Sequence, residues 1–349
     1  MDSSFIICKS FRIKGIVSLY LIYVNKTPED KIMTNIDRRE FLKRMSATAL
    51  GASLLKIGSP LLATANDLDR MPIPKRRLGR TGFDATIVSL GGQSTIEQPD
   101  RLDDAVEIIN HALDLGINYI DTAEAYGRGI SETYIGEVMK DRRDEVFLAT
   151  KIRERTDNGI ENDRFERSCE RLQTDFIDLY FLHAVNSMQD LNTALDRDNG
   201  AILAFERLKQ KGRIGNIGIS SHSTEVLTAA LENYDFDVIF LTINPAGMRM
   251  NQSAKETREF LKKVHKKDVG VVAMKLTARN DLFNTGISME QAINYSLSCG
   301  RNGNSFPIAT ATIGITSPEQ LDENVRIAKQ YKGYNDREMD QLEEFVNGG

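Results

Sequence analysis

The chain has 349 residues, 45 Lys plus Arg against 50 Asp plus Glu, and 41% hydrophobic with 27% charged residues, an ordinary globular composition. A net charge of -5 offers no broad positive field, which sets nucleic acid and anionic lipid aside as partners. Three cysteines, Cys8, Cys169 and Cys299, lie far apart with no Cys-x-x-Cys pair, so neither a zinc site nor a disulfide framework is expected.

In chain order, residues 1 to 32 include IVSLYLIYV at 16 to 24, a run too short to span a bilayer. Met33 stands just upstream of an arginine pair, so this stretch reads as an upstream extension that a start at Met33 would omit. Residues 33 to 65 carry DRREFLKR at 37 to 44, a run rich in Ala, Gly, Ser and Leu, and then Ala63-Thr64-Ala65. Arg38 and Arg39 followed by Phe41, Leu42 and Lys43, with a small-x-small cleavage site, resemble a twin-arginine export signal. That implies export machinery as a partner, a periplasmic destination, and a mature protein of residues 66 to 349 without stable membrane insertion. A basic amphipathic helix docked on the domain is the competing reading.

A turn-rich stretch at 75 to 86 leads into short apolar runs alternating with helical stretches, the pattern of a parallel sheet. Candidate strands cover 87 to 91, 118 to 121, 146 to 151, 177 to 183, 214 to 220, 238 to 244, 269 to 275 and 309 to 314. The helical stretch at 103 to 116 shows the expected spacing through Val106, Ile109, Ala112 and Leu113, and Gly116 ends it. Eight strands each followed by a helix predict a single α/β domain, a (β/α)8 TIM barrel over residues 66 to 349, with an extra C-terminal helix at 335 to 346.

Chemistry in such a barrel gathers at the carboxyl ends of the strands. Four ionisable residues fall there: Asp121, Tyr126 in the turn after it, Lys151 and His183. Singly, each is more often a cap, a solvated charge or a packing residue. Converging, they have a meaning: an ammonium at Lys151 would lower the phenol pKa of Tyr126, Asp121 would balance the ammonium, and His183 would hold a carbonyl by a hydrogen bond.

At these residues the chain resembles the aldo/keto reductases. GINYIDTAEAYG at 116 to 127 is similar to that family's motif around its catalytic Asp and Tyr, and GRGISETYIGEVM continues it. VFLATK at 146 to 151, LQTDFIDLYFLH at 172 to 183, GRIGNIGIS at 212 to 220 and IGITSPEQLDENV at 313 to 325 follow in the family's order. The resemblance implies Asp121, Tyr126, Lys151 and His183 as a catalytic tetrad that needs no metal. The implied reaction is reduction of a small aldehyde or ketone by hydride from a nicotinamide dinucleotide, with Tyr126 as proton donor. A dinucleotide-binding sensor or regulatory subunit on the same barrel is the alternative, and its mark would be a missing tetrad member.

The resemblance also implies the cofactor contacts. Ser220 matches a residue that meets the carboxamide, but Ser221 stands where Asn is common, Phe240 where many members have Gln, and Met274 where many stack an aromatic ring on nicotinamide. Asn244 keeps the downstream match, and Lys275 follows Met274. Gly314, Thr316, Ser317, Gln320, Glu323 and Asn324 are similar to the segment that holds the adenosine end. The family favours NADP(H) over NAD(H), with Arg326 or Lys275 as the basic residue for a 2′-phosphate.

Overall fold

A computed structural model describes residues 70–303 and 305–348, together with two N-terminal strands, β1 (Cys8–Ile13) and β2 (Ile16–Leu21), which pair antiparallel with Ile13 opposite Ile16. Residues Met1–Ser59 and Pro60–Gly349 form two compact units. The export segment expected at 33 to 65 lies outside the described residues.

The turn-rich stretch before the barrel holds more structure than its composition suggested. β3 (Lys75–Arg77) and β4 (Asp84–Thr86) pair antiparallel around a single 3-10 turn at Gly79–Thr81. Gly79 has φ +50, and a Cβ there would lie 2.2 Å from the Gly270 backbone nitrogen, so this tight approach requires glycine. The turn carries Leu78 and Phe83 to the barrel's amino end, where Phe83 stacks on Phe147 at 4.4 Å.

β5 (Val88–Ser94), β6 (Tyr119–Asp121), β7 (Phe147–Ile152), β8 (Ile177–Leu182), β9 (Ile214–Ser221), β10 (Val238–Thr242), β11 (Gly270–Met274) and β12 (Ile308–Ile315) pair in parallel in that order, and β12 returns to β5. Closure leaves this sheet no unpaired edge. All eight expected strands are present, shifted by a few residues at most.

Strand alternation sorts the core into two. Tyr119, Phe147, Ala149, Leu179, Phe181, Val238, Phe240, Val272 and Ala309 fill the barrel's inside. Their neighbours Ile120, Leu148, Tyr180, Leu182, Ile239 and Val271 face outward to the helices. Each large side chain buried in this way stabilises the fold by about 1.5–3 kcal/mol. Gly218 leaves room for the Phe181 ring, whose Cδ1 would stand 2.4 Å from an added Cβ.

The helices are α1 (Leu102–Asp114), α2 (Ile130–Arg142), α3 (Phe165–Leu172), α4 (Met188–Ala194), α5 (Ala201–Gln210), α6 (Thr224–Asn233), α7 (Ala254–Val264), α8 (Met289–Ser298), α9 (Pro318–Lys329) and α10 (Asp336–Asn347). α1 shows why they bury one face: Ala105, Ile108, Ile109, Ala112 and Leu113 recur at spacings of three and four, with Asp103 and Asp104 at the positive N-terminus. The extra helix α10 starts in a capping box of Asn335 and Glu338. It docks through Met339, Leu342 and an ion pair from Glu343 to Arg258 of α7 at 3.0 Å. Among the described residues no helix is long and apolar enough to cross a membrane.

Candidate active site

The alternation that packs the barrel also aims its polar residues. On β6, Tyr119 points inward and Ile120 outward, so Asp121 points inward at the carboxyl end. On β7, Ala149 and Lys151 share the inner face, while Thr150 points outward and donates to Glu132 of α2 at 2.6 Å. Glu132 is fully buried and pairs with Arg171 of α3 at 2.6 Å, which ties both helices to the strand that carries Lys151. On β8, Phe181 points inward and His183 is next on that face.

Lys151 Nζ donates to Asp121 Oδ2 at 2.5 Å and to the Thr122 carbonyl at 2.6 Å, with both side chains buried. Burial pushes the Asp121 carboxyl up to about 6 and the Lys151 ammonium down, and their mutual attraction opposes both shifts. Tyr126 comes from the turn after β6, where Gly127 and Arg128 take left-handed conformations at φ 55 and 57. A Cβ on Gly127 would meet the Glu97 carbonyl at 2.3 Å, so the glycine sets the phenol's approach. The Lys151 ammonium lies 5.0 Å from the Tyr126 ring centre, and the His183 ring stands edge-on to it at 5.7 Å. The four residues therefore meet at one mouth.

The electrostatics correct one expectation. The Tyr126 phenol is not lowered by Lys151: burial, with the charges of Asp121 and Glu97, raises it well above 10, and Arg153 and Arg279 only oppose this. Lys151 is engaged by Asp121 instead. The phenol is thus held protonated at neutral pH. Burial, followed by the nearby cations Lys151, Arg153, Lys275 and Arg155, drives His183 down to about 2, which keeps its imidazole neutral. His183 Nδ1 and Asp121 Oδ1 are buried without a hydrogen-bond partner among the described residues.

A cavity of about 310 Å³ opens beside Asp121 and Tyr126. Of the residues expected to hold a cofactor, Met274, Lys275, Gly314, Thr316 and Gln320 line it, and so does Phe240. Ser317 caps α9 by accepting from the Gln320 amide, Glu323 is exposed on α9, and Arg326 turns to Gln330 at 3.2 Å. Asn324 is buried with neither side-chain polar atom partnered among the described residues.

Ser220, Ser221 and Asn244 are not brought to the cavity. Ser220 Oγ accepts from the Ala184 amide at 2.7 Å, and Ser221 Oγ donates to Asn186 at 3.3 Å. Asn244 accepts from the Met248 amide at 3.0 Å and donates to its carbonyl at 2.9 Å. Their side chains are used up in closing the loops that form the walls.

Several lining residues had not been singled out: Gly91, Gly92, Gln93, Ser94, Thr312 and Arg279. The Gly-Gly pair at a strand end was a readable signal of close backbone approach. A Cβ on Gly92 would lie 2.4 Å from Ser131 Oγ and 2.9 Å from the Asp121 carbonyl. Its place after a strand's carboxyl end marks the loop at 277 to 286 as a mouth wall, and Thr277, Arg279 and Asn280 line the cavity, but the sequence gives no sign that Lys275, Ala278, Arg279 and Asn280 all have positive φ between 50 and 72. Lys275 Nζ there contacts His222 Nε2 at 3.1 Å, and His222 Nδ1 contacts Thr242 Oγ1 at 2.7 Å. Burial, with Arg279, Arg249 and Lys151 nearby, brings the Lys275 ammonium down to about 8.

Comparison with known proteins bears on this site. A profile described as "Aldo/keto reductase family" matches residues 88–296. The chain is 38% identical over 164 residues to an uncharacterized oxidoreductase, YqkF, of Bacillus subtilis, a stretch covering 44% of this chain and 50% of that protein. It is 28% identical over 195 residues to aldo-keto reductase yakc [NADP(+)] of Schizosaccharomyces pombe, covering 52% of this chain and 55% of that one. Among solved structures, aldo-keto reductase AKR11C1 from Bacillus halodurans superposes with a TM-score of 0.62 at 26% identity, over 78% of this chain and 96% of that one.

Proposed function

The chain belongs to the aldo/keto reductase family, and from that premise we propose that it reduces an aldehyde or ketone to the alcohol, with NADP(H) as hydride source and Tyr126 as proton donor. The observation that carries the reading is the buried Lys151–Asp121 contact of 2.5 Å with Tyr126 and His183 beside it at an open mouth. In this reading a bound dinucleotide supplies the hydride. The neutral His183 imidazole orients the carbonyl oxygen without competing for the proton. The Tyr126 phenol gives its proton to that oxygen, and the charges of Arg153 and Arg279, which oppose the rise of the phenol, favour the phenolate left behind, with the Lys151 ammonium 5.0 Å from the ring centre. All four members are present, which leaves the sensor alternative without its expected mark.

The cavity suits a dinucleotide in its donor set. Gly314 in its lining lets backbone come close, since a Cβ there would lie 2.7 Å from Ser94 Oγ, and Asn324, buried on α9 outside that lining, has two polar atoms without partners among the described residues, a donor and an acceptor that a purine edge could use. Lys275 and Arg279 line the cavity as counter-charges for phosphate, which both dinucleotides carry; the preference for NADP(H) over NAD(H) rests on the family pattern and on relatives such as yakc, which carries NADP(+) in its name. Export through residues 33 to 65 is part of the proposal and rests on Arg38, Arg39 and the segment after them. A folded reporter fused behind residues 33–70 is expected to cross the membrane, and equal export with both arginines changed to lysine would remove this part.

The central test follows NADPH and NADH oxidation against a panel of reactive aldehydes and dicarbonyls. Tyr126→Phe is expected to lower turnover by about 100- to 10,000-fold with nicotinamide binding retained. With His183 neutral down to about pH 2 and the Asp121 carboxyl at about 6, a step in the wild-type profile near pH 6 should belong to Asp121 and vanish in Asp121→Asn. Full activity in Tyr126→Phe would overturn the assignment.

A further inference from the structure

We propose that this mouth selects carbonyl substrates bearing a carboxylate a few bonds from the reacting carbon, with Arg153 as the residue that binds it; the proposal rests on the reductase reading above. Arg153 directly follows β7. The His183 amide donates to the Ile152 carbonyl at 2.8 Å, which sets Arg153 alongside His183. Lys151 faces inward and Ile152 outward, and Arg153, the first residue past the end of β7, stands near enough for its charge to act on both the His183 imidazole and the Tyr126 phenol.

The backbone here is held firmly while the side chain is left available. Arg155, largely buried, donates to the carbonyls of Arg153 at 2.8 Å, His183 at 2.7 Å and Ala184 at 3.1 Å, clamping the ends of β7 and β8 together. The Arg153 side chain is exposed and makes no ion pair among the described residues. The acids of this rim are engaged elsewhere: Glu154 accepts from the Arg155 amide at 3.1 Å and from Thr156 Oγ1 at 3.2 Å, and Glu124 pairs with Arg164 at 3.3 Å. Glu97 stands on the cavity wall, where Gln93 donates to it at 3.4 Å.

The cofactor does not account for this charge. Lys275 and Arg279 line the cavity and can answer dinucleotide phosphates, whereas Arg153 is not part of that lining. It belongs to the His183 side, where it joins Lys151, Lys275 and Arg155 among the cations acting on the imidazole. A substrate anion here would relieve that accumulation of positive charge and fix the carbonyl against Tyr126 and His183.

The experiment compares kcat/KM for succinic semialdehyde with that for pentanal, a neutral aldehyde of similar length, in the full chain, in Arg153→Gln and in Arg153→Lys. The wild-type ratio should favour the carboxylate, fall by roughly 10- to 100-fold in Arg153→Gln, and recover in part in Arg153→Lys. A wild-type ratio near one, or a ratio that Arg153→Gln leaves unchanged, would overturn the proposal while leaving the reductase reading intact. If neither aldehyde is reduced, that reading fails instead. The anion site is then read by saturation-transfer NMR of 4-hydroxybutyrate against 1-pentanol: binding lost in Arg153→Gln supports it, and equal binding in both proteins overturns it.

Discussion

The two sides of the barrel mouth are built differently. At the ends of β6, β7 and β8 the reactive side chains stand on strands: Asp121 and Lys151 are fixed by alternation, and His183 is one residue past its strand with its amide still in the ladder. Across from them, after β11, the wall is a loop whose residues 275 and 278–280 take left-handed conformations without glycine. Chemistry needs positions held within fractions of an ångström, which paired strands supply; a ligand can be gripped by loops whose shape depends on neighbours far along the chain. Left-handed non-glycine backbone is denser on the loop side, against Arg128 and Ala184 on the other, and it is on the loop side that Lys275 relies on His222 and Thr242, each from another strand's end.

This contrast can be broken in order of expected effect. The largest is the loss of turnover in Tyr126→Phe described above. Next is Lys151→Met, which leaves the Asp121 carboxylate buried without its partner and should lower stability by about 3–5 kcal/mol near neutral pH in urea unfolding. The pH dependence has a definite sign. Without Lys151 the Asp121 carboxyl rises beyond its present value of about 6, so the folded form binds the proton more tightly than the unfolded chain. Stability is then best preserved below pH about 4 and is lost as pH rises through the folded value. A deficit that did not grow with pH would mean the pair is not ionised in the native protein.

The smallest effect belongs to the loop side. Asn324→Leu removes two buried polar atoms that lack partners among the described residues, so stability should stay level or rise by up to about 1 kcal/mol, while NADPH affinity falls by about 5- to 10-fold. Thermal unfolding and nicotinamide fluorescence titration check the two halves separately. Affinity that did not change would remove Asn324 from the dinucleotide site and weaken the division of labour between the two sides.

The same division explains what could be read early. The tetrad positions follow from local patterns: an apolar run with period two, ending in a polar residue, points that residue to one face whatever the rest of the chain does. The family resemblance aligned Phe240, Met274 and Gly314 with cofactor-site positions, and they line the cavity. Ser220, Ser221 and Asn244, aligned in the same way, do not, because a hydroxyl or amide near a cleft serves whichever partner is closer. Here those are the amide of Ala184, the side chain of Asn186 and the backbone of Met248. The β3–β4 hairpin was hidden because three-residue strands have no periodicity of their own and are held by Leu78 and Phe83 packing into the barrel end.

By itself, then, the sequence determined the eight-stranded alternation, the inward set of Asp121, Lys151 and His183, and the glycines without which Tyr126 could not approach. These depend on neighbours a few residues away, and short-range sterics act before the chain closes. Only the tertiary structure decided the protonation of that set, because a pKa depends on everything within several ångströms. It is burial in the closed barrel that raises the Tyr126 phenol and drives the His183 imidazole down. The tertiary structure also decided that the Arg153 side chain is exposed while Arg155, two residues on, is locked between two strand ends, a difference that no property of arginine itself contains.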